Sequence, residues 1–129
     1  MPVPNRRALI AIVDDDEDVR EAIRELMRAI GFTAEVFSSA DSFLRSPHVS
    51  RTACLIADVN MPGMSGLDLC KRLSELGIVM PTILITAYPT EQTRSLARAA
   101  GVIKYLTKPF DEADLIDGVR IALGQRPRS

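Results

Sequence analysis

Five short apolar runs separated by five helix-like segments predict an α/β fold, (βα)₅ in order, with a parallel sheet between two layers of helices. Three observations carry that expectation. The strand-like runs are nearly continuously apolar, as strands buried on both faces are. The segments between them place apolar residues at helical spacing. Asp, Thr and Lys residues stand just after the runs, at the strand ends where such sheets gather their ligand-binding groups.

The first strand is expected over Ala8–Val13 and runs into Asp14, Asp15 and Asp16. A helix follows from about residue 17. Val19, Ile23, Leu26, Met27 and Ile30 fall on one face of it, and Gly31 is a natural stop. The second strand, Thr33–Phe37, contains Glu35 and so looks like an edge strand. Ser39 to about Arg45 forms a short helix whose start is rich in capping residues, and Ala53–Ala57 is the third strand. Ser65 can cap the next helix, with Asp68 near its positive end. There Leu67, Leu69, Cys70 and Leu73 give a broad apolar face, and Gly77 lies beyond the end. Thr82–Ile85 is the fourth strand. Thr90–Ala100 is helical by its Ala and Leu content but has a thin apolar face. The fifth strand is expected over Val102–Leu106. Asp111 caps the last helix, in which Leu115, Val119, Ala122 and Leu123 recur at helical spacing.

Five such units fit a flavodoxin-like three-layer sandwich with sheet order 2-1-3-4-5. Residues 1–7 read as an N-terminal tail, 8–124 as the folded domain, and 125–129 as a C-terminal tail or the start of a linker. At 129 residues the chain is long enough for one domain with a real core. It is 47% apolar and 26% charged, with a net charge of −1, so its composition carries no strong pull toward nucleic acid or anionic membrane. Arg6, Arg7, Arg126 and Arg128 cluster near the ends and read as solvated. No stretch approaches the roughly 20 apolar residues needed to span a bilayer, and a cytoplasmic location is expected. Cys54 and Cys70 lack ligand-like spacing and read as buried thiols.

At the expected strand ends, Asp14 and Asp15 follow strand 1 and Asp58 follows strand 3. Thr86 follows strand 4, and Lys108 follows strand 5. In this architecture they converge near the point where strand order reverses. Two carboxylates about 4 Å apart repel by about 4 kcal/mol at an effective dielectric of about 20, so three together call for a cation. Mg²⁺ suits a few carboxylates supplemented by waters and a phosphoryl oxygen, and Mn²⁺ has similar preferences. Such a metal can set a phosphoryl group in line with an Asp nucleophile, while Lys108 pairs with its oxygens and Thr86 donates a hydrogen bond. Each residue alone has a plainer role: Asp14–Asp16 as a helix cap, Asp58 as a turn residue, Thr86 as structural, Lys108 as a solvated charge. Their joint occurrence at successive strand ends favours the chemical role.

The fragments Ile12-Val-Asp-Asp-Asp-Glu17, Asp58-Val-Asn-Met-Pro-Gly-Met-Ser-Gly66, Leu84-Ile-Thr-Ala87 and Tyr105-Leu-Thr-Lys-Pro-Phe110 occur in this order. Over roughly residues 8 to 124 the chain resembles the receiver domains of two-component response regulators. The resemblance implies that Asp58 is the phosphoacceptor. Asp15 would be a direct Mg²⁺ ligand, Asp14 would act through water, and the Asn60 backbone carbonyl would be a further ligand. Lys108, Thr86 and the Ala87 backbone N–H would bind the phosphoryl group, and Thr86 and Tyr105 would form the switch. The Lys108–Pro109 bond resembles the family's cis peptide. Implied partners are a sensor histidine kinase or phosphotransfer protein, and an output domain of helix-turn-helix type if the natural chain continues. A homodimer through the fourth helix and fifth strand is also implied. Ile103, Lys104 and Tyr105 are the candidate interface, with Ile103 and Tyr105 expected on one side of the strand. Asp16 is expected to cap its helix rather than bind metal. Gly63 and Gly66 suit the tight loop after Asp58. Tyr88 either shields the phosphoryl group or covers the loop.

Two other chemistries share part of this pattern. A haloacid-dehalogenase-like phosphohydrolase would have Asp-x-Asp where this chain has Asp58-Val-Asn60. A flavodoxin-like nucleotide or FMN binder would want a phosphate-cradling loop after strand 1, where the acidic cluster repels phosphate. His48, the single histidine, is expected at the surface, away from the strand ends.

Overall fold

The computed structural model describes residues 8–125. Its strands are β1 (Leu9–Val13), β2 (Thr33–Phe37), β3 (Thr52–Asp58), β4 (Thr82–Thr86) and β5 (Lys104–Thr107). Its helices are α1 (Glu17–Ala29), α2 (Ala40–Leu44), α3 (Gly66–Glu75), α4 (Glu91–Ala99) and α5 (Glu112–Ala122). All strand pairs are parallel, in the order β2-β1-β3-β4-β5, as expected. Glu35 therefore sits on an edge strand.

The unbroken apolar runs are explained by burial on both faces. Ile10, Ile12, Cys54, Ile56, Ile83 and Ile85 point to one side, where Ile23 and Met27 of α1 and Leu115 and Val119 of α5 cover them. Ala11, Val13, Leu55, Ala57 and Leu84 point to the other, against Phe43 of α2, Leu69 and Leu73 of α3, and Ala97 of α4. Full burial of a single Ile, Leu or Phe is worth about 1.5–3 kcal/mol, so the two apolar layers fix the sheet and with it the strand ends.

Capping side chains set the helix starts. Asp16 accepts the Asp18 and Val19 backbone N–H groups, so it caps α1 as expected. Ser65 and Asp68 form a reciprocal capping box on α3, and Thr90 and Thr93 do the same on α4. Only Ala97 of α4 is fully buried, which matches its thin apolar face.

The fifth strand begins two residues later than the apolar run suggests. Gly101 has φ +78 and closes α4, and the Val102 N–H is drawn back to the Ala97 carbonyl over 3.1 Å. Val102 therefore finishes the helix instead of entering the ladder. One expectation is overturned in consequence. Ile103 packs into the α1/α5 layer while Tyr105 packs into the opposite layer, so the two do not share a face. Cys54 is buried, and burial pushes its thiol pKa up to about 12, whereas Cys70 is only half-buried; both are free. His48 is half-buried rather than open, and its Nδ1 is enclosed without a partner. The four terminal arginines lie outside the described residues.

Candidate functional site

Parallel strands packed in register bring their carboxyl ends to one rim. Asp14 follows β1, Asp58 ends β3, Thr86 ends β4, and Lys108 follows β5. Lys108 reaches across the rim. Its Nζ donates to Asp14 Oδ2 over 3.0 Å and to Asp58 Oδ2 over 2.7 Å, joining positions 94 and 50 residues apart. Asp14 and Asp58 are buried, whereas Asp15 is exposed. The Lys108–Pro109 peptide is cis.

The remaining carboxylate oxygens are held by backbone. Asp14 Oδ1 accepts the Asp16 N–H over 2.9 Å, and Asp58 Oδ1 accepts the Asn60 N–H over 2.8 Å. Arg20 adds a contact that the linear pattern did not signal, donating from Nη1 to the Asp14 carbonyl over 2.8 Å. Gly66 has a spatial reason to be glycine: a Cβ there would stand 2.5 Å from the Asp58 carbonyl oxygen. The loop can pass over the end of β3 only because that atom is missing.

The charges are unbalanced. Asp14, Asp15 and Asp58 each offer a carboxylate oxygen, all within 4.8 Å of one another, against one ammonium. Burial pushes the Asp14 carboxyl pKa up. The Asp16 N–H and Lys108 oppose that shift, and the Asp58 charge reinforces it. For Lys108, burial works against the ammonium, but its bonds to Asp58 and Asp14 and their charges outweigh it and raise the pKa. A group of three carboxylates with no thiol or imidazole among them is a hard-oxygen set that fits a divalent cation such as Mg²⁺. These three residues could hold a metal.

Thr86 is fully buried, and its Oγ1 donates to Asn60 Oδ1 over 2.6 Å. The Tyr88 N–H donates to Thr86 Oγ1 over 3.0 Å, while the Tyr88 side chain is largely exposed. Ala87 follows Thr86 and is exposed. Tyr105 stands apart from the carboxylates, against α4. Its hydroxyl lies 2.5 Å from Thr93 Oγ1, and the Arg94 guanidinium sits 4.9 Å from its ring centroid. Neither Thr93 nor Arg94 could be singled out beforehand, since their link to position 105 exists only once α4 lies beside β5.

Comparison with known proteins agrees with this fold. Residues 10–120 match the response regulator receiver domain family. Over 124 residues the chain is 43% identical to the response regulator protein TodT of Pseudomonas putida, covering 96% of this chain and 55% of TodT. It is 35% identical over 116 residues to the transcriptional regulatory protein FixJ of Azorhizobium caulinodans, covering 90% of this chain and 55% of FixJ. The crystal structure of a response regulator receiver protein from Burkholderia phymatum superposes with a TM-score of 0.80 at 38% identity, covering 95% of this chain and all of that one. The chain thus spans about half the length of the curated relatives it matches.

Proposed function

The chain belongs to the response regulator receiver domain family, and from that premise we propose that it is a phosphoacceptor switch in which Asp58 takes a phosphoryl group from a sensor histidine kinase or a phosphotransfer protein. The observation that carries the proposal is Lys108 bridging Asp14 and Asp58 at one rim. A carboxylate is placed there beside the cation that its phosphorylated form would need.

A carboxylate oxygen of Asp58 attacks phosphorus, the P–N bond to the donor imidazole breaks, and an acyl phosphate forms on Asp58. Asp14, Asp15, Asp58 and the Asn60 backbone carbonyl would hold Mg²⁺, with Mn²⁺ as a substitute. The ion supplies the positive charge that lets an anionic donor approach this acidic rim. Lys108 transfers its hydrogen bond from Asp58 Oδ2 to a phosphoryl oxygen, and Thr86 and the Ala87 N–H donate to others. Modification brings about −1.5 to −2 charges to the rim. Thr86 is drawn toward them, Tyr105 follows, and the surface of α4, β5 and α5 changes.

Residues 8–124 form the working unit, and 125–129 serve as a C-terminal tail or as the start of a linker; where the natural chain continues, an output domain of helix-turn-helix type would fit a relative such as FixJ, a transcriptional regulatory protein. The receiver itself binds neither membrane nor nucleic acid, and it acts in the cytoplasm as a switch rather than a turnover enzyme. Among the described residues no helix is long and apolar enough to cross a membrane.

Mass spectrometry after incubation with Mg²⁺ and acetyl phosphate tests the assignment. The wild type is expected to gain one phosphoryl group and Asp58→Ala none. A wild type that stays unmodified, or a variant modified equally, would refute it.

A further inference from the structure

A hydroxyl has one hydrogen to give. In this structure the hydrogen of Thr86 is spent on Asn60 Oδ1, over 2.6 Å, across a separation of 26 residues. The bond ties the loop after β3 to the end of β4. It is fixed at both sides: the Tyr88 N–H holds Thr86 Oγ1 over 3.0 Å, and the Asn60 N–H is anchored on Asp58 Oδ1 over 2.8 Å. Thr86 is fully buried, but Asn60 is exposed, so packing does not require a carboxamide at that position.

We propose that the Asn60 side chain is a positioning group that keeps the Thr86 hydroxyl engaged in the unmodified protein and so sets the resting balance of the switch. The proposal rests on Asp58 being the phosphoacceptor. Asn60 Oδ1 and a phosphoryl oxygen on Asp58 compete for a single proton. The anionic oxygen makes the stronger bond and wins once it is present. In its absence the carboxamide holds Thr86 back. Removing the carboxamide costs the unmodified state one hydrogen bond and leaves the modified state untouched. The population of the modified-like conformation in the free protein should then rise by about tenfold, the scale of one net hydrogen bond. Apparent affinity for a phosphoryl mimic should rise by the same factor while that population stays small.

The test uses the full chain with Mg²⁺ and beryllofluoride as the phosphoryl mimic, followed by backbone amide NMR and titration. In free Asn60→Ala, which keeps its backbone carbonyl, the Thr86 and Tyr88 amide signals should move along the line joining the free and beryllofluoride-bound wild type. Beryllofluoride affinity should rise about tenfold. Asn60→Asp restores an acceptor oxygen and should return the free-state signals to the wild-type end of that line. In a Thr86→Val background Asn60→Ala should bring no gain, since no hydroxyl is left to hold. An affinity that is unchanged or lower in Asn60→Ala, or a gain that survives Thr86→Val, overturns the inference alone. A wild type that fails to bind beryllofluoride, or an Asp58→Ala chain that binds it equally, removes the phosphoacceptor assignment and this inference together.

Discussion

Lys108 serves two carboxylates with one ammonium, and Asp15 adds a third negative charge within reach. Without a metal, repulsion among the three is only partly offset. Asp58→Asn should therefore stabilise the metal-free protein, by about 1 kcal/mol after screening by Lys108, since a bare pair at about 4 Å repels by about 4 kcal/mol. The same substitution should reduce the stabilisation that Mg²⁺ brings to the wild type. Lys108→Met works the other way. It leaves Asp14 and Asp58 buried together without a cation and should cost about 3 kcal/mol. Urea unfolding of the three proteins with and without Mg²⁺ measures both effects, and a destabilised Asp58→Asn would contradict the account.

At the scale of elements, the β3–α3 loop and the first turn of α4 matter most. Gly66→Ala drives a Cβ into the Asp58 carbonyl, which is backbone and cannot step aside. A loss of about 2 kcal/mol is expected, in the range of overpacking, together with slower phosphorylation because the residue it presses on is the proposed acceptor. Denaturation and acetyl phosphate kinetics check this, and an unchanged Gly66→Ala would show that the loop has slack. Thr93 belongs both to the capping box of α4 and to the contact with the Tyr105 hydroxyl. Any movement of Tyr105 breaks its contact with that helix turn, and α4 buries only Ala97 fully. A double-mutant cycle with Thr93→Val and Tyr105→Phe should show a coupling of about 1 kcal/mol in the unmodified protein. A coupling near zero would separate Tyr105 from α4.

For the molecule as a whole, metal binding at the proposed site would be linked to folding. At a hundredfold excess over Kd, Mg²⁺ should add about 2.7 kcal/mol of stability, and Asp15→Ala should abolish most of it. Sedimentation with Mg²⁺ and beryllofluoride should show a dimer through α4 and β5, weakened by Lys104→Glu; a persistent monomer would exclude that surface. The (βα)₅ order, the strand sequence 2-1-3-4-5 and the gathering of Asp14, Asp15, Asp58, Thr86 and Lys108 were legible in the chain. Burial on both faces and capping leave local marks, and a parallel sheet turns strand ends into neighbours. Three matters were decided only by the folded molecule: the separation of Ile103 from Tyr105, the gift of the Thr86 hydroxyl to Asn60, and the docking of Tyr105 on Thr93 and Arg94. Two physical reasons account for the three. A side chain's face depends on where its strand begins, which here the closure of α4 by Gly101 set. A hydroxyl's partner depends on which distant loop arrives within reach, and neither leaves a periodic trace along the sequence.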